Sequence, residues 1–459
     1  MLNEDIELIT RVGAGTPMGE MLRRYWIPAM LAEELPEPDG APKRIRLLGE
    51  DLVAFRDTSG RVGIMDLHCP HRLASLALGR NEEGGIRCLY HGWKIDVEGH
   101  VLETPCEPPN SRFKDSFVHT AYEVRENADL IWVYMGPKDK IPPLPEFNWM
   151  TIPKERRAVG KMWEKCNFIQ GMEGIFDSFH TNLLHSGFEV MRWSAGQIAD
   201  TWRRPSRALY GVIQTERTPY GYHYGAIRRP TLDADQYDYI RVTEFISPFF
   251  CINPPDLGIK SAGFFFVPID DHNTMLYQVN AAESDERTID TGEGRRKMSM
   301  LVGEDLDEEF RPLRNETNDY GQDRALMKAG VTPTSDADLG ELRNAYTGID
   351  TGVQTQDMAM VETMGPISDR AKEHLAASDN GIIHWREALV ESVKEFVAGS
   401  EPPGIDPPAP YHRIGSVAAI VERGTPWTSI SWEHRDEILI SVSDDSAVIP
   451  TGARDSEPS

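Results

Sequence analysis

Basic residues are scarce in this chain: 48 lysines and arginines stand against 73 aspartates and glutamates, a formal net charge of −25 over 459 residues. A surface of that sign repels phosphate backbones and anionic headgroups, which argues against a nucleic acid or a membrane as partner. Long apolar runs are missing too; none approaches the roughly 20 residues that a spanning helix requires. Cysteine is sparse, at Cys69, Cys88, Cys106, Cys166 and Cys251, and the spacing forms no disulfide framework, which suits a reducing compartment. The first residues, Met1-Leu2-Asn3-Glu4-Asp5, are acidic where an export signal is basic. Arg23-Arg24 precedes only a short apolar stretch ending at Glu33-Glu34, so a cytoplasmic location is expected. No Gly-x-Gly-x-x-Gly follows a strand-like run, which argues against a nucleotide site. The hydrophobic fraction of 40% and the length leave ample core for two or three domains.

Cys69-Pro70-His71 and, after sixteen intervening residues, Cys88-Leu89-Tyr90-His91 place one cysteine and one histidine on each of two short loops. A 2Fe-2S cluster with one iron held by two cysteines and the other by two histidines needs that pairing. Tetrahedral zinc also accepts Cys2His2, but its knuckles usually repeat two like ligands. The mixed halves favour the cluster. Pro70 stiffens the first loop, and Gly79, Gly84, Gly85 and Gly92 supply tight turns. Residues 62–65 and 85–88 read as strands feeding the loops, and the alternation over 93–98 predicts a half-buried strand leaving the second. Tyr90 and Trp93 are candidates either to shield the sulfurs or to fill the core.

Ile141-Pro142-Pro143-Leu144-Pro145 can continue neither a helix nor a central strand, so a domain boundary is placed there. Pro402-Pro403 through Pro410 reads as a second linker. The expected layout is a helical segment over 1–40, a strand-rich module over 41–145, a larger mixed module over 146–400 and an extension over 401–459. Strand-like runs occur at 207–212, 220–227, 239–246, 263–267 and 275–279, and helical patterns at 168–184, 357–364 and 385–397. The class is α+β.

Asp177-Ser178-Phe179-His180-Thr181-Asn182-Leu183-Leu184-His185 is a second candidate metal segment. Non-haem iron takes two histidines and one carboxylate on one face, leaving positions for oxygen. On a helix Asp177 and His180 lie about 60° apart and can touch, whereas His180 and His185 lie about 140° apart. The helix is therefore expected to bend or end before His185. The third ligand must come from a distant carboxylate, with Asp357, Glu362, Asp369 and Asp379 all open by spacing.

Several passages resemble the oxygenase (α) component of Rieske non-haem iron ring-hydroxylating oxygenases, in its phthalate dioxygenase-like branch. They are Val12-Gly13-Ala14-Gly15-Thr16-Pro17-Met18-Gly19, Arg24-Tyr25-Trp26-Ile27-Pro28, Cys69-Pro70-His71-Arg72, Tyr90-His91-Gly92-Trp93, Tyr346-Thr347-Gly348-Ile349 and Gln356-Asp357. The resemblance implies an N-terminal all-β Rieske domain and a helix-grip catalytic domain with an antiparallel sheet. It implies that Cys69, His71, Cys88 and His91 bind the 2Fe-2S cluster and that His180, His185 and Asp357 bind Fe(II). It implies O2 as cosubstrate, NAD(P)H acting through a separate flavin and iron-sulfur reductase, and a homotrimer or dimer of trimers. Asp177 would then bridge His91 of one chain and His180 of the next. Two departures stand out: Leu73 occupies a position where the family commonly has glycine, and the chain is longer than many relatives.

Arg203, Arg204, Arg207, Arg228, Arg229 and Arg241 crowd the strands expected to line the catalytic cavity. A guanidinium fork binds a carboxylate bidentately, which points to an acid as substrate; together with the resemblance to the phthalate branch, this makes an aromatic acid such as a phthalate the expected one. Arg207, Arg241 and Ser178 are the preferred contacts, with Tyr222 and His223 as further candidates. The alternative within the same ligand set is a monooxygenase that removes an aryl methyl ether from a methoxylated aromatic acid.

Overall fold

In the computed structural model the described residues are 2–185, 208–230, 233–254, 263–281, 294–296, 298–327, 346–349, 351–430 and 432, with backbone alone for 258–260. Among them no helix is long and apolar enough to cross a membrane.

Helices α1 (Asn3–Thr10) and α2 (Pro17–Leu22) open the chain. The Thr16 hydroxyl accepts from the Gly19 N–H, and Pro17 sits in the first turn of α2, where its missing donor costs nothing. The helical segment expected over 1–40 stops there. Strand β1 (Trp26–Leu31) follows, buried throughout, because it pairs with a distant strand rather than with its neighbours.

The first module is antiparallel β throughout. β2 (Lys43–Leu47), β3 (Glu50–Arg56) and β4 (Val62–Asp66) form a meander. β5 (Arg80–Glu82), β6 (Gly85–Arg87), β7 (Lys94–Ile95) and β8 (Val101–Glu103) form a second sheet. β9 (Glu123–Asn127) and β10 (Leu130–Tyr134) close a third with β1. The strand expected over 93–98 is only two residues long. Asp96 explains this: its carboxylate accepts the N–H groups of Glu98 and His100 and turns the chain.

The second module is built on a sheet of nine described strands. They are β11 (Arg157–Glu164), β12 (Val212–Thr218), β13 (Gly221–Arg228), β14 (Tyr237–Ile246), β15 (Phe250–Ile252), β16 (Gly258–Lys260), β17 (Phe264–Asp270), β18 (Asn273–Ala281) and β19 (Ser416–Glu422). β19 pairs with β14 from Val417↔Val242 to Glu422↔Tyr237. The boundary expected at residue 400 therefore does not bound the sheet. Residues 433–459 of the expected extension lie outside the described residues.

Register decides which side chains share a face. Tyr222, Tyr224, Ala226 and Arg228 stand opposite Phe245, Thr243, Arg241 and Tyr239. This face carries α3 (Phe168–Phe176) and α6 (Asn380–Val397), with Phe176 and Trp385 stacked on each other and both meeting Phe245 edge-on. The opposite face carries Ile240 and Val242 beside Ala419 and Val417 of β19, clustered with Trp427 and Trp432. Gly225 is required there, because a Cβ would come within 2.8 Å of the Trp427 ring. Between α3 and α6 the chain adds α4 (Thr181–Leu184) and α5 (Val353–Thr363).

Candidate metal centres

The two Cys/His loops fold as near copies. Cys69 N–H donates to Ala74 O, and Cys88 N–H donates to Trp93 O, each at 2.8 Å. Both cysteines are buried, and burial together with the adjacent Cys88 thiol pushes the Cys69 thiol up to about 11. The His71 and His91 rings lie 4.4 Å apart between centroids. Two adjoining thiols and two adjoining imidazoles, drawn from different loops, fit a cluster whose irons take unlike ligand pairs. Trp93 stacks on His71 at 4.7 Å and Tyr90 lies against His91 at 3.9 Å, so each aromatic packs on a histidine ring.

The second centre begins where α3 stops. The Tyr224 hydroxyl donates to the Phe176 carbonyl, the acceptor that a further helical turn would use. Asp177 then turns the chain, its carboxylate accepting the Phe179 N–H at 2.7 Å and the His180 N–H at 3.3 Å. The helix expected over 168–184 is thus broken before His185, as the angular argument requires. His180 Nε2 and His185 Nε2 come within 3.1 Å, and Asp357 Oδ1 lies 3.4 Å and 3.0 Å from them. Donor atoms set at right angles on a metal ~2.1 Å away would be about 3 Å apart. The three atoms fit such a facial set.

The electrostatics agree. Burial alone would lower the His180 pKa, but hydrogen bonds to Asp177 and Asp357 outweigh it and hold the ring up to about 10. Burial would raise the Asp357 pKa, yet the His185 and His180 imidazoles hold the carboxyl well below its usual range. A site that concentrates a proton in this way suits a cation that replaces it. The other carboxylates are occupied elsewhere: Glu362 accepts from Lys165 N–H and Tyr320 O–H, Asp369 pairs with Lys372, and Asp379 accepts from Ala376 N–H.

Polar clamps bring α3 and α5 together. Gln170 donates to Val361 O at 3.0 Å and Gly365 O at 2.8 Å, and accepts from Ser368 N–H at 2.7 Å. Glu173 holds Arg370 at 3.2 Å and Arg386 at 2.7 Å, tying α3 to α6. These contacts set Asp177 and the two histidines at a fixed distance from Asp357.

Residues 25–122 match the family model of the Rieske [2Fe-2S] domain, and residues 133–447 match the model described as LigXa C-terminal domain like. This chain belongs to the Rieske non-haem iron oxygenases. It is 42% identical over 426 residues to the phthalate 4,5-dioxygenase oxygenase subunit of Pseudomonas putida, covering 92% of this chain and 93% of that one. It is 32% identical over 405 residues to the 5,5'-dehydrodivanillate O-demethylase oxygenase subunit of Sphingobium sp. (strain NBRC 103272 / SYK-6), covering 88% and 82%. Its fold is shared with dicamba monooxygenase bound to 3,6 dichlorosalicylic acid, at a TM-score of 0.53 and 17% identity, over 83% of this chain and 99% of that one.

The Rieske oxygenase therefore has a 2Fe-2S domain and a non-haem iron domain, and is the oxygenase component of a multicomponent aromatic oxygenase. Of its candidate substrate contacts, Ser178 is buried beside the metal turn, and Arg241 is buried with Nη2 donating to Pro254 O at 2.9 Å. Arg207, with Arg203 and Arg204, lies outside the described residues. Tyr222 and His223 point to opposite faces. Tyr222 donates to Gly381 O on α6. His223 bonds to Glu244 at 3.2 Å and packs on Trp427, on the face opposite Tyr222 and Arg228. Arg228 was not a preferred contact, yet it donates to the Ser178 carbonyl and lies over the Phe179 ring at 4.5 Å. Strand alternation from Tyr224 would have put it on this face.

Proposed function

We propose that Cys69, His71, Cys88 and His91 hold the cluster, that His180, His185 and Asp357 hold Fe(II), and that the chain dihydroxylates an aromatic carboxylate such as a phthalate. The observation that carries the ligand assignment is the triangle of His180 Nε2, His185 Nε2 and Asp357 Oδ1, with sides of 3.1, 3.4 and 3.0 Å. When bound, the iron supplies O2 activation and the cluster supplies electrons from a separate flavin and iron-sulfur reductase using NAD(P)H. The chain's own part is positional. Asp177 holds the His180 ring through Nδ1 at 3.3 Å and keeps Nε2 turned to the metal. The Asp177 side chain is 27% exposed, which leaves it open to a second imidazole. In a homotrimer or dimer of trimers, in the cytoplasm, that imidazole is His91 of the partner subunit.

The acid substrate is supported by Arg228 and Arg241, which lie on the same face of the sheet, with Arg228 bonded to Ser178 in the Asp177–His180 turn. It is supported also by the phthalate named for the 42% identical relative. O-demethylation of a methoxylated aromatic acid is the second reading, favoured by the relative that is an O-demethylase subunit. The test supplies a compatible reductase and screens benzoates, phthalate isomers and methoxylated aromatic acids. A cis-diol establishes dihydroxylation, and formaldehyde release establishes the demethylase. Arg241→Ala is expected to weaken a carboxylated substrate roughly 10- to 150-fold, the loss of one charge-assisted bond of about 1.5–3 kcal/mol. Turnover of neutral aromatics alone would reject the acid substrate.

A further inference from the structure

We propose that Gln356 is a positioning residue that locks the His185 ring in its metal-binding tautomer, and that the Thr347-Gly348-Ile349 turn serves to hold that amide. The inference rests on the assignment of His185 as a metal ligand.

Gln356 is 1% exposed and stands next to Asp357 on α5. Its Oε1 lies 2.9 Å from His185 Nδ1. Its Nε2 donates to Thr347 Oγ1 at 3.0 Å and to Ile349 O at 2.9 Å. A backbone carbonyl can only accept, so the amide nitrogen must face Ile349 and the amide oxygen must face His185. That oxygen can only accept, so His185 carries its proton on Nδ1. In the neutral ring that a metal requires, Nε2 is then left with its lone pair directed at the metal position, 3.0 Å from Asp357 Oδ1.

The acceptors are themselves fixed. Thr347 Oγ1 accepts the Ile349 N–H at 3.1 Å, Gln322 Nε2 donates to Thr347 O at 2.7 Å, and Asp323 N–H donates to Gly348 O at 2.9 Å. Gly348 has φ +69°, and a Cβ there would lie 2.5 Å from Asp323 O, so a side chain at this position would push the turn apart.

The two histidines are thus backed differently. His180 leans on the partly exposed Asp177 carboxylate, and His185 leans on a buried, neutral amide. An amide fixes the ring without adding charge behind the metal. It leaves the charged contact to the one histidine whose carboxylate faces outward.

The test uses the full chain with its cluster in place, stripped of mononuclear iron and titrated with Fe(II) by equilibrium dialysis. The cluster's electron paramagnetic resonance signal serves as the fold control. Gln356→Leu is expected to lower Fe(II) affinity about 10- to 100-fold, as losses of such supporting partners do, and to broaden the spectrum of the Fe(II) nitric oxide adduct. Thr347→Val weakens binding in the same direction, and Thr347→Ser retains it. Should Gln356→Leu fail to assemble the cluster, the Thr347 pair decides: equal affinity in Val and Ser variants overturns the proposal. Wild-type affinity and spectrum in Gln356→Leu also overturn it. His185→Ala separates the two claims. If it binds Fe(II) as the wild type does, the ligand assignment fails. If it loses Fe(II) while Gln356→Leu keeps it, only the role of Gln356 fails.

Discussion

Leu73 and Gly92 occupy matching places in the two Cys/His loops. Each N–H closes back on the cysteine carbonyl four residues earlier, at 2.9 Å and 3.0 Å, and both residues have positive φ, +62° and +73°. Glycine adopts that conformation freely, whereas leucine places its Cβ against the following carbonyl. Leu73 is 70% exposed, so in the single chain no burial offsets the strain. Leu73→Gly is expected to raise stability by about 1 kcal/mol, the strain of ~1–2 kcal/mol less the entropy cost of glycine. Denaturant unfolding followed by cluster absorbance measures it, and a destabilised variant would show that the exposed leucine makes a stabilising contact in the assembly.

Asp357→Ala is expected to lose the mononuclear iron and keep the cluster, taking the protein from about three irons and two sulfides per chain to about two of each. Glu362→Gln, five residues along the same helix, should retain all three irons, because Glu362 is bonded to Lys165 N–H and Tyr320 O–H. Metal and acid-labile sulfide analysis reads both. Retention of iron and turnover in Asp357→Ala would reject it as a ligand.

Asp177→Asn preserves the size of the side chain and removes the charge that orients the His180 ring. Both metal centres and substrate binding should survive, while electron transfer from cluster to iron slows. Rapid mixing of the reduced protein with substrate and O2, followed through cluster reoxidation, is the measurement; wild-type rates would remove the bridging role.

Glu164 on β11 gives a pH dependence of stability. It is 3% exposed, Oε2 has no hydrogen-bond partner among the described residues, and burial, then the Glu362 and Asp357 charges, push its pKa up from 4.5 to about 8. Such an acid binds its proton more tightly folded than unfolded. Its contribution is therefore full below the ordinary carboxyl range and is lost as pH climbs from about 4.5 through about 8. The loss across that window is on the order of 5 kcal/mol at most. Glu164→Gln should flatten the fall of Tm between pH 5 and pH 9, as about the span of this titration, and melt higher than the wild type at the alkaline end. Parallel Tm profiles for the two proteins would contradict it.

The chemistry of both centres was legible from local spacing. Two cysteines and two histidines divided between two loops describe unlike ligand pairs whatever the surrounding fold, and Asp177, His180 and His185 lie within one short stretch. The break between Asp177 and His185 was legible as well, because a straight helix cannot turn both rings to one point. The strands over 220–227, 239–246, 263–267 and 275–279 appear as β13, β14, β17 and β18, since alternation and β-branched or aromatic content are local signals. The strands β11 and β19 were missed for the opposite reason. Lys161 and Glu164 put charges into an otherwise apolar run, yet Lys161 is buried against Glu34 at 2.6 Å, and β19 is held by its pairing with β14.

What the sequence by itself determined is therefore the kind of metal each segment can hold, because ligand type and short spacing are covalent facts. Spacing left Asp357, Glu362, Asp369 and Asp379 open and the family resemblance pointed to Asp357; tertiary structure brought it within 3.0 Å of His185, turned Arg228 toward Ser178 and His223 away, and brought Gln356 behind His185. Those outcomes depend on sheet register and on contacts between residues more than a hundred positions apart, such as the clamp of Gln170 on Val361. A one-residue slip in register would exchange the faces of Arg228 and His223. Alternation puts Arg228 and His223 on opposite faces, but no spacing in the chain encodes which face packs against Ser178.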